Sequence, residues 1–384
     1  MWRNIVVRYL IVTVVILVLL CYISLQDSNK ATKEVEENPS TLSNIVQELM
    51  IHDFIEKERK EVHKSLENYP TLKLSQLRKS SMDMGGIPTT SFLVSSWRSG
   101  SSIVGQLLNS HPASFYNYEP LHQFGLVKVG QASQQANSAL KLIRNLIKCN
   151  YQNDMNDWLV YQRVTADWCF AQNTRLWNRC TMGRQNTSDV QTVCFQQKYV
   201  EPMCKLFPFQ VIKTVRLRLD LTESLVKDPS TNVKVMLLVR DPRAIMESRK
   251  HKEDWFSSCK ECTDPKTICQ QMLEDYHEFE TLKVEYPTKF KVLRFEDFLL
   301  NPIGVSMDIF RFYEIPYHRN VINFMKSKLQ SPRFRWLKAL SRKEIFNIQN
   351  NCNASLKAFG YKAIKEEDNV EEVEPEYLLD DKSA

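Results

Sequence analysis

The stretch FLVSSWRSGSSIVGQLL, residues 92–108, decides the fold class of this chain. Its first three residues are apolar, as in a buried strand, small residues follow, and residues 103–108 have the apolar character of a helix. In a strand–loop–helix unit the loop amides and the positive end of the helix dipole bind anions such as phosphate or sulfate. We therefore expect an anion-binding loop in an α/β protein. The loop residues expected to contact the anion are Ser96, Trp97, Arg98, Ser99, Gly100, Ser101 and Ser102.

A second strand-to-helix junction lies at VMLLVRDPRAIMES, residues 235–248. The unbroken apolar run is typical of a parallel strand that is buried on both faces. Asp241 is a favoured N-cap and Pro242 a favoured first helical residue, so we expect a helix to begin directly after Arg240. Ser248 lies about two turns into that helix, where its hydroxyl could reach the same anion as Arg240.

The strand–helix alternation from Thr89 onward predicts a largely parallel central sheet that is flanked by helices. We expect strands near residues 91–95, 210–215, 234–239 and 290–294. Between Gln131 and Pro208 we expect helices and loops around an acceptor groove. The first loop lacks the Gly-Lys-Ser/Thr ending of a Walker A sequence, which disfavours an ordinary ATPase or GTPase and predicts a different phosphorylated co-substrate.

Together these motifs resemble the sulfotransferase family, and within it the Golgi carbohydrate sulfotransferases that modify the 6-hydroxyl of galactose, N-acetylglucosamine or N-acetylgalactosamine. The resemblance covers roughly residues 88–364. It is carried by WRSGSS at 97–102, YEP at 118–120, VRDPRA at 239–244, KVLRFED at 291–297 and Gly360-Tyr361. It implies a P-loop-like sulfotransferase fold, with 3′-phosphoadenosine 5′-phosphosulfate (PAPS) as the co-substrate and no metal.

In this family the first loop binds the 5′-phosphosulfate of PAPS, and an arginine and a serine eight positions apart bind the 3′-phosphate. The resemblance therefore assigns the 3′-phosphate to Arg240 and Ser248. Sulfuryl transfer needs positive charge where the leaving phosphate oxygen gains negative charge, and we expect Arg98 to supply it.

A sugar hydroxyl is a poor nucleophile, so a base is expected near the acceptor. Glu119 is the first candidate, because glycan sulfotransferases commonly use a glutamate in this region of the fold. Pro120 predicts an extended backbone at Glu119, which would aim the carboxylate towards the cleft. His122 is the alternative base, and a purely structural role for both residues also stays open.

Other cationic residues have less certain roles. Lys213 could reach the acceptor or a phosphate, or form a salt bridge. Arg243 and Arg249 could bind the co-substrate or an acidic glycan, or be solvated helix charges.

A C-terminal segment that closes over the co-substrate in the family is matched by Trp336 and Lys338. Leu337 replaces the arginine that stands between them in the family, and Arg335 is the candidate substitute.

Residues 5–25 are almost entirely apolar and long enough to span a bilayer. Because Arg3 and Arg8 stand at the front edge and no cleavage site is obvious, we expect an uncleaved signal anchor of a single-pass type II Golgi membrane protein, with a cleaved signal peptide as the alternative. The expected organisation is a cytoplasmic tail at 1–4, the anchor at 5–25, a lumenal stem at 26–87, the catalytic domain at 88–364 and an acidic disordered tail at 365–384.

Nine of the ten cysteines lie after the expected anchor, so at least one is free or paired between chains. Local disulfides are expected within three clusters, Cys169/Cys180, Cys194/Cys204 and Cys259/Cys262/Cys269. The Cys259-Lys260-Glu261-Cys262 spacing also suits zinc, but no second pair completes four ligands.

Homo-oligomers are possible through the free cysteine or through the stem, where Leu42, Ile45, Val46 and Leu49 have helical spacing. Two sequons, at Asn186 and Asn353, are candidate glycosylation sites in a lumenal protein.

The formal net charge of +6 is unevenly distributed. Residues 366–384 carry a net −8, so the rest of the chain stands at +14, which suits an anionic co-substrate and an anionic glycan. No nucleic-acid-binding motif accompanies this charge. Three functions stay open: transfer to a glycan 6-hydroxyl, transfer to tyrosine or another sugar position, and a catalytically silent Golgi glycan-binding or scaffold protein.

Overall fold

The computed structural model describes residues 39–67, 80–181, 193–328, 334–370, 373 and 379–380. It divides into two compact units, Met1–Glu56 and Lys57–Ala384. Within the described part of the second unit, five parallel strands form a sheet in the order β2-β3-β1-β4-β5. The strands are β1 Thr89–Ser95, β2 Ser114–Tyr118, β3 Phe209–Thr214, β4 Asn232–Val239 and β5 Phe290–Arg294.

The predicted α/β class and central parallel sheet are confirmed, and the four predicted strands become β1, β3, β4 and β5. Sequence reasoning missed β2, which is short, lies at the sheet edge and mixes polar Ser114 and Asn117 with aromatic residues. It is recognisable as a strand only through its pairing with β3.

Helices flank the sheet, and α2 packs against β2 and β3 while α11 packs against β5. The α-helices, in chain order, are α1 Pro39–Glu67, α2 Ser101–Asn109, α3 Ala136–Ile147, α4 Met155–Thr165, α5 Asp167–Phe170, α6 Thr174–Thr181, α7 Gln197–Lys205, α8 Glu223–Val226, α9 Pro242–Lys250, α10 Glu253–Phe256, α11 Pro265–Glu285, α12 Phe295–Leu300, α13 Pro302–Phe312, α14 Arg319–Lys328, α15 Trp336–Ala339 and α16 Arg342–Ala358. Short 3-10 helices occupy Met82–Met84, His122–Phe124, Leu219–Leu221 and Lys260–Thr263.

The strands form the centre of the core because each is covered on both faces. Phe92, Leu93 and Val94 of β1 are completely buried. At the next junction α9 begins as predicted: Pro242 is its first residue, and the Asp241 carboxylate accepts a hydrogen bond from the Arg243 backbone N–H at 2.8 Å.

The predicted stem contains helix α1, whose exposed apolar residues include Val46 and Leu49, two of the positions proposed for self-association. The expected membrane anchor at 5–25 lies outside the described residues, as does Asn186. Within the described part of the chain, no helix is long and apolar enough to cross a membrane.

The described residues contain four disulfides, Cys149–Cys204, Cys180–Cys194, Cys259–Cys262 and Cys269–Cys352. The expected pairs Cys169/Cys180 and Cys194/Cys204 are wrong, and Cys169 is buried and free among the cysteines that the structure describes. Cys204 pairs instead with a residue 55 positions away, because the ends of α3 and α7 meet beside β3, where the Gln210 side chain contacts both cysteines. The Cys259–Cys262 bond also replaces the zinc interpretation of that pair.

Part of the acidic C-terminal segment is attached to the second unit. Leu379 forms a β-bridge with Tyr361 and is buried, and the Asp380 backbone N–H donates to the Gly360 carbonyl at 2.9 Å. The expected disorder of 365–384 therefore does not hold at these two residues.

The Cys269–Cys352 bond joins α11 to α16 across 83 residues, so its loss should destabilise the second unit strongly. We expect C269S/C352S to lower the free energy of unfolding by about 2–5 kcal/mol, because the unfolded chain regains the entropy of a long loop. The matched control C259S/C262S, which opens a separation of only 3 residues, should cost less. Thermal and denaturant unfolding of both variants tests this order, and equal losses would contradict it.

Candidate active site

Two adjacent strands bring the two predicted motifs to the same edge of the sheet. β1 pairs with β4 in parallel, with Ser95 opposite Leu238. The loop that follows β1, residues 96–100, and Arg240, which follows β4, therefore lie side by side at the carboxyl ends of the strands. Open α/β sheets bind their ligands at this edge.

Three cationic side chains hold carbonyl groups of the last β1 residue and of this first loop. Lys128 Nζ donates to the Ser95 carbonyl at 2.6 Å, Arg249 Nη2 donates to the Trp97 carbonyl at 3.0 Å, and Arg240 Nη1 donates to the Arg98 carbonyl at 2.9 Å. With its carbonyl oxygens occupied in this way, the loop keeps one conformation. The first amides of α2 have no intrahelical acceptor, so the helix start remains available to an anion.

Gly100 is required at the turn into α2. Its φ is +88°, and a Cβ at this position would clash with the Phe295 ring. Arg98 also has a positive φ of 69°, which shows how tightly the loop turns. The close approach of Phe295 places the start of α12 directly against the anion-binding loop.

Arg98, Arg240 and Arg335 form a cationic cluster on the cavity wall. Burial lowers the pKa of Arg98, and the neighbouring charges of Arg240 and Arg335 lower it further. Arg98 Nε donates to the Ser248 hydroxyl at 2.9 Å, which links the first loop to α9, the helix that follows Arg240. The buried Nε atom of Arg240 has no hydrogen-bond partner among the described residues. This orphaned donor points to a missing anionic ligand.

Glu296 supports the Arg240 junction from α12. Its carboxylate accepts hydrogen bonds from the Asp241 backbone N–H at 3.1 Å and from the Tyr361 hydroxyl at 2.8 Å. Burial, reinforced by the negative charge of Asp241, raises the pKa of Glu296 to about 7. Two further segments of the family resemblance, 291–297 and Gly360-Tyr361, thus meet behind Arg240.

Glu119 occupies a different environment from the one predicted. Its φ is +47°, so the backbone is left-handed rather than extended, and the carboxylate is buried between two cations. Lys213 Nζ donates to Oε1, while Arg216 Nη1 donates to Oε2 at 2.7 Å. Burial alone would raise the pKa of Glu119, but Lys213 and Arg216 outweigh it and lower the pKa. The group is therefore a fully paired carboxylate, and the salt-bridge alternative for Lys213 is confirmed.

His122 is the more accessible of the two candidate bases. It is half-buried on the cavity wall, and its Nδ1 lies 2.8 Å from the Tyr161 hydroxyl. Burial lowers the pKa of His122, and the charge of Arg216 lowers it further. The imidazole is therefore neutral at pH 7, with Nε2 free of any hydrogen bond to the described residues.

The cavity encloses about 810 Å³ and gathers most of the predicted site. The predicted residues that line it are Trp97, Arg98, Gly100, Ser101, Ser102, Glu119, His122, Lys213, Arg240, Ser248 and Arg335. Arg216 and Trp168 also line it and were missed. Arg216 could have been recognised as a candidate site residue from the sequence, because it is a charged residue two positions after a buried strand.

Other predicted residues have structural positions. The Ser99 hydroxyl is buried and donates to the Ser96 carbonyl at 2.8 Å, so these two residues shape the loop. Arg249 is buried against the loop, so neither a solvated position nor exposure to a ligand holds for it.

Arg243 is completely buried and pairs with Asp241, so it too is neither solvated nor exposed to a ligand. Trp336 is buried with its ring 4.4 Å from the Arg243 guanidinium, and Lys338 is exposed; neither is among the described residues that line the cavity. In this C-terminal segment Arg335 reaches the cavity instead, because it pairs with Glu247 of α9.

The chain belongs to the sulfotransferase family, whose model matches residues 91–319. Its curated relatives include mouse carbohydrate sulfotransferase 4, which is 25% identical over 329 residues, covering 72% of this chain and 83% of the relative. Human carbohydrate sulfotransferase 6 is 24% identical over 323 residues, covering 72% of this chain and 81% of the relative. Among solved structures, the sulfotransferase domain of the Synechococcus PCC 7002 olefin synthase aligns with a TM-score of 0.41 and 16% identity, over 70% of this chain and 94% of that domain. The family model and the curated relatives confirm the resemblance expected from the motifs.

The buried Lys213–Glu119–Arg216 arrangement predicts that Glu119→Gln will be unstable. The substitution leaves two cations buried without a counter-charge, which should cost about 3–5 kcal/mol of unfolding free energy. Because the folded pKa of Glu119 is lowered, this stability is present above the ordinary carboxyl pKa and is lost as the pH falls through the folded value. Denaturant unfolding at several pH values measures both effects.

The matched variant K213M/E119Q removes one of the two cations and should recover part of the loss. If the single variant E119Q were as stable as wild type, the ion pairs of Glu119 with Lys213 and Arg216 would be contradicted. The comparison also separates a fall in activity caused by unfolding from one caused by chemistry.

Proposed function

We propose that this chain transfers the sulfuryl group of PAPS to a glycan hydroxyl, the primary 6-hydroxyl of galactose, N-acetylglucosamine or N-acetylgalactosamine. The observation that carries the proposal is the cluster of Arg98, Arg240 and Arg335 beside an orphaned Arg240 donor at the carboxyl ends of β1 and β4. Glu247 pairs with Arg335, so the three arginines keep a net positive charge that favours an anionic ligand. The carbohydrate sulfotransferase names of the relatives support a sugar acceptor.

The cavity residues fit a ligand with two separated anionic groups. The loop from Trp97 to Ser102, together with the α2 N-terminus, would hold the 5′-phosphosulfate. Arg240 and Ser248 would hold the 3′-phosphate, with Arg335 adding positive charge.

PAPS supplies the sulfuryl group, whose bond to the 5′-phosphate oxygen breaks as a bond to the acceptor oxygen forms. Arg98 stabilises the negative charge that develops on the departing phosphate oxygen. Its guanidinium stays protonated, so the contribution is electrostatic and no proton is donated. Ser248 fixes the orientation of Arg98 through the bond to Nε.

We assign the base to His122 and a positioning role to Glu119. Both Glu119 oxygens are occupied and its pKa is lowered, so it is a weak base. His122 takes the proton of the acceptor hydroxyl on Nε2 when its Nδ1–H donates to the Tyr161 oxygen. Glu119 holds Lys213 and Arg216 at the cavity wall.

We also propose a Golgi location, with residues 5–25 as the membrane anchor, 26–87 as the stem and a lumenal catalytic domain. The four disulfides support an oxidising compartment. The exposed position of Asn353 on α16 is compatible with a glycan, although the Ser355 hydroxyl of the same sequon is buried against the Cys269 carbonyl.

The activity is tested with the full-length chain in detergent, by following labelled sulfate from PAPS to keratan, chondroitin, mucin-type and N-linked glycans and to tyrosine peptides. Mass spectrometry of the product locates the modified position. Label on a sugar 6-hydroxyl supports the proposal, whereas label on tyrosine or on another position refutes the acceptor. PAPS binding without transfer to any acceptor favours the silent scaffold.

Arg240→Ala should weaken PAPS binding by about 10- to 100-fold, the value of a charge-assisted hydrogen bond. Adenosine 5′-phosphosulfate, which lacks the 3′-phosphate, should bind wild type and variant with similar affinity. Isothermal titration with both ligands measures the preference of the protein for PAPS over adenosine 5′-phosphosulfate. If R240A kept this preference, the 3′-phosphate assignment would be excluded. Arg311→Ala, in an exposed pair outside the cavity lining, is the matched control.

His122→Gln should lower kcat by about 10²–10⁴-fold with the PAPS dissociation constant unchanged. Because a base must be deprotonated and the pKa of His122 is lowered, wild-type kcat/KM should rise with pH below 6.5 and then level off. H122Q should lose this rise, and Tyr161→Phe should weaken it. Normal turnover in H122Q would return the role of base to Glu119.

A further inference from the structure

Trp168 presents a large aromatic side chain inside the cavity. Its side chain is 45% exposed, although it lines a concave site. The next two residues of α5, Cys169 and Phe170, are buried, and the Phe170 ring packs on Phe195 with centroids 4.5 Å apart. The exposure of the indole is therefore not caused by a loose segment. An exposed aromatic group on the wall of a pocket is a typical ligand contact.

The backbone beneath the indole is also held. The Trp168 backbone N–H donates to the Asp167 carboxylate at 2.8 Å, and its carbonyl accepts a bond from the Gln172 side chain at 3.2 Å. The segment that carries the indole is therefore held in place before any ligand binds, which reduces the entropy lost on binding.

The indole adjoins the residue assigned as the base. Its ring centroid lies 5.3 Å from that of His122, with the planes at 90°, and 5.9 Å from that of Tyr118, at 67°. Both contacts are near perpendicular, so no described aromatic ring is stacked parallel to the indole. Tyr118 in turn contacts the Ser102 hydroxyl at 3.1 Å, which connects the indole to the anion-binding loop.

Trp255 provides a comparison within the same cavity. It is 42% exposed, but its ring is stacked on Phe256 with centroids 5.2 Å apart and planes at 29°. One of its faces is thus already covered, and it has no ring contact with His122 among the described residues. The two tryptophans are similar in exposure and differ in their relation to the base.

We propose that the Trp168 indole is a stacking platform for a pyranose ring of the acceptor, placed so that the hydroxyl to be sulfated faces His122. One face of a pyranose carries C–H groups, which pack favourably against the electron-rich face of an indole. The ring hydroxyls remain at the periphery, where one of them can reach the imidazole. The inference rests on the proposed function and adds the residue that positions the sugar.

The test compares wild type, W168A, W168F and W255A, each as the full-length chain. Transfer from PAPS to desulfated keratan and desulfated chondroitin oligosaccharides gives kcat and the KM of the acceptor. Titration with 3′-phosphoadenosine 5′-phosphate gives the affinity for the nucleotide. Saturation-transfer NMR with the same oligosaccharides, in the presence of that nucleotide, measures glycan binding without turnover.

We expect W168A to raise the acceptor KM at least tenfold with nucleotide affinity unchanged, W168F to recover most of the loss, and W255A to raise the acceptor KM clearly less than W168A does. The inference would be overturned if W168A lowered kcat, left the acceptor KM unchanged and shifted the acid limb of the pH profile of kcat/KM. The indole would then only orient His122. An equal effect of W255A would also overturn it.

Failure of the proposed function gives a different pattern. If wild type transfers no sulfate but binds an oligosaccharide that W168A does not bind, the stacking site stands and the activity does not. If wild type binds neither oligosaccharide, the stacking site is refuted whatever the transfer assay shows.

Discussion

The site depends on hydrogen bonds from Lys128, Arg249 and Arg240 to three carbonyl groups at the end of β1 and in the first loop. A loop that binds an anion through its amides must direct its carbonyl oxygens elsewhere, and buried carbonyl groups need donors. Here the donors are cations, so they satisfy the carbonyl groups and also add positive potential around the loop. Burial lowers the pKa of Lys128 to about 8 and that of Arg249 to about 9, with the Arg98 charge also acting on Arg249. The loop conformation is thus maintained at the expense of burying charge.

Two groups of charged side chains lie among the residues that line the cavity. Glu119 pairs with both Lys213 and Arg216 and leaves that group with a net charge of +1, whereas the cluster of Arg98, Arg240 and Arg335, with Glu247 as its nearby carboxylate, keeps a net charge of +2. An anionic co-substrate is therefore attracted to the second group, and the first group stays in place beside His122. This division follows from the sheet: Glu119 comes after β2, Lys213 and Arg216 lie at the end of β3, and the arginines at positions 98 and 240 follow β1 and β4.

Sequence reasoning was accurate where a local pattern had one physical meaning. The apolar runs identified β1, β3, β4 and β5, and Asp241-Pro242 located the start of α9, because strand burial and helix capping depend on neighbouring residues. It was inaccurate where the partner is distant in sequence. Glu119 has a left-handed backbone that Pro120 did not predict, and its carboxylate is held by residues 94 and 97 positions away. The residues around Trp336 predicted that it contacts the co-substrate, but its ring packs on Arg243.

By itself the sequence determined the fold class, the family, the loop from Ser96 to Ser102 and the roles proposed for Arg98, Arg240 and Ser248, since each rests on a contiguous motif. Only the tertiary structure decided which cysteines pair, which arginines are buried supports and which face the cavity, and how Glu119 differs from His122. These properties depend on burial and on charges brought together from separate strands, and neither can be read from the residues adjacent in the chain. The placement of Trp168 beside His122 belongs to the same category, because 46 residues separate them in sequence and packing alone joins them.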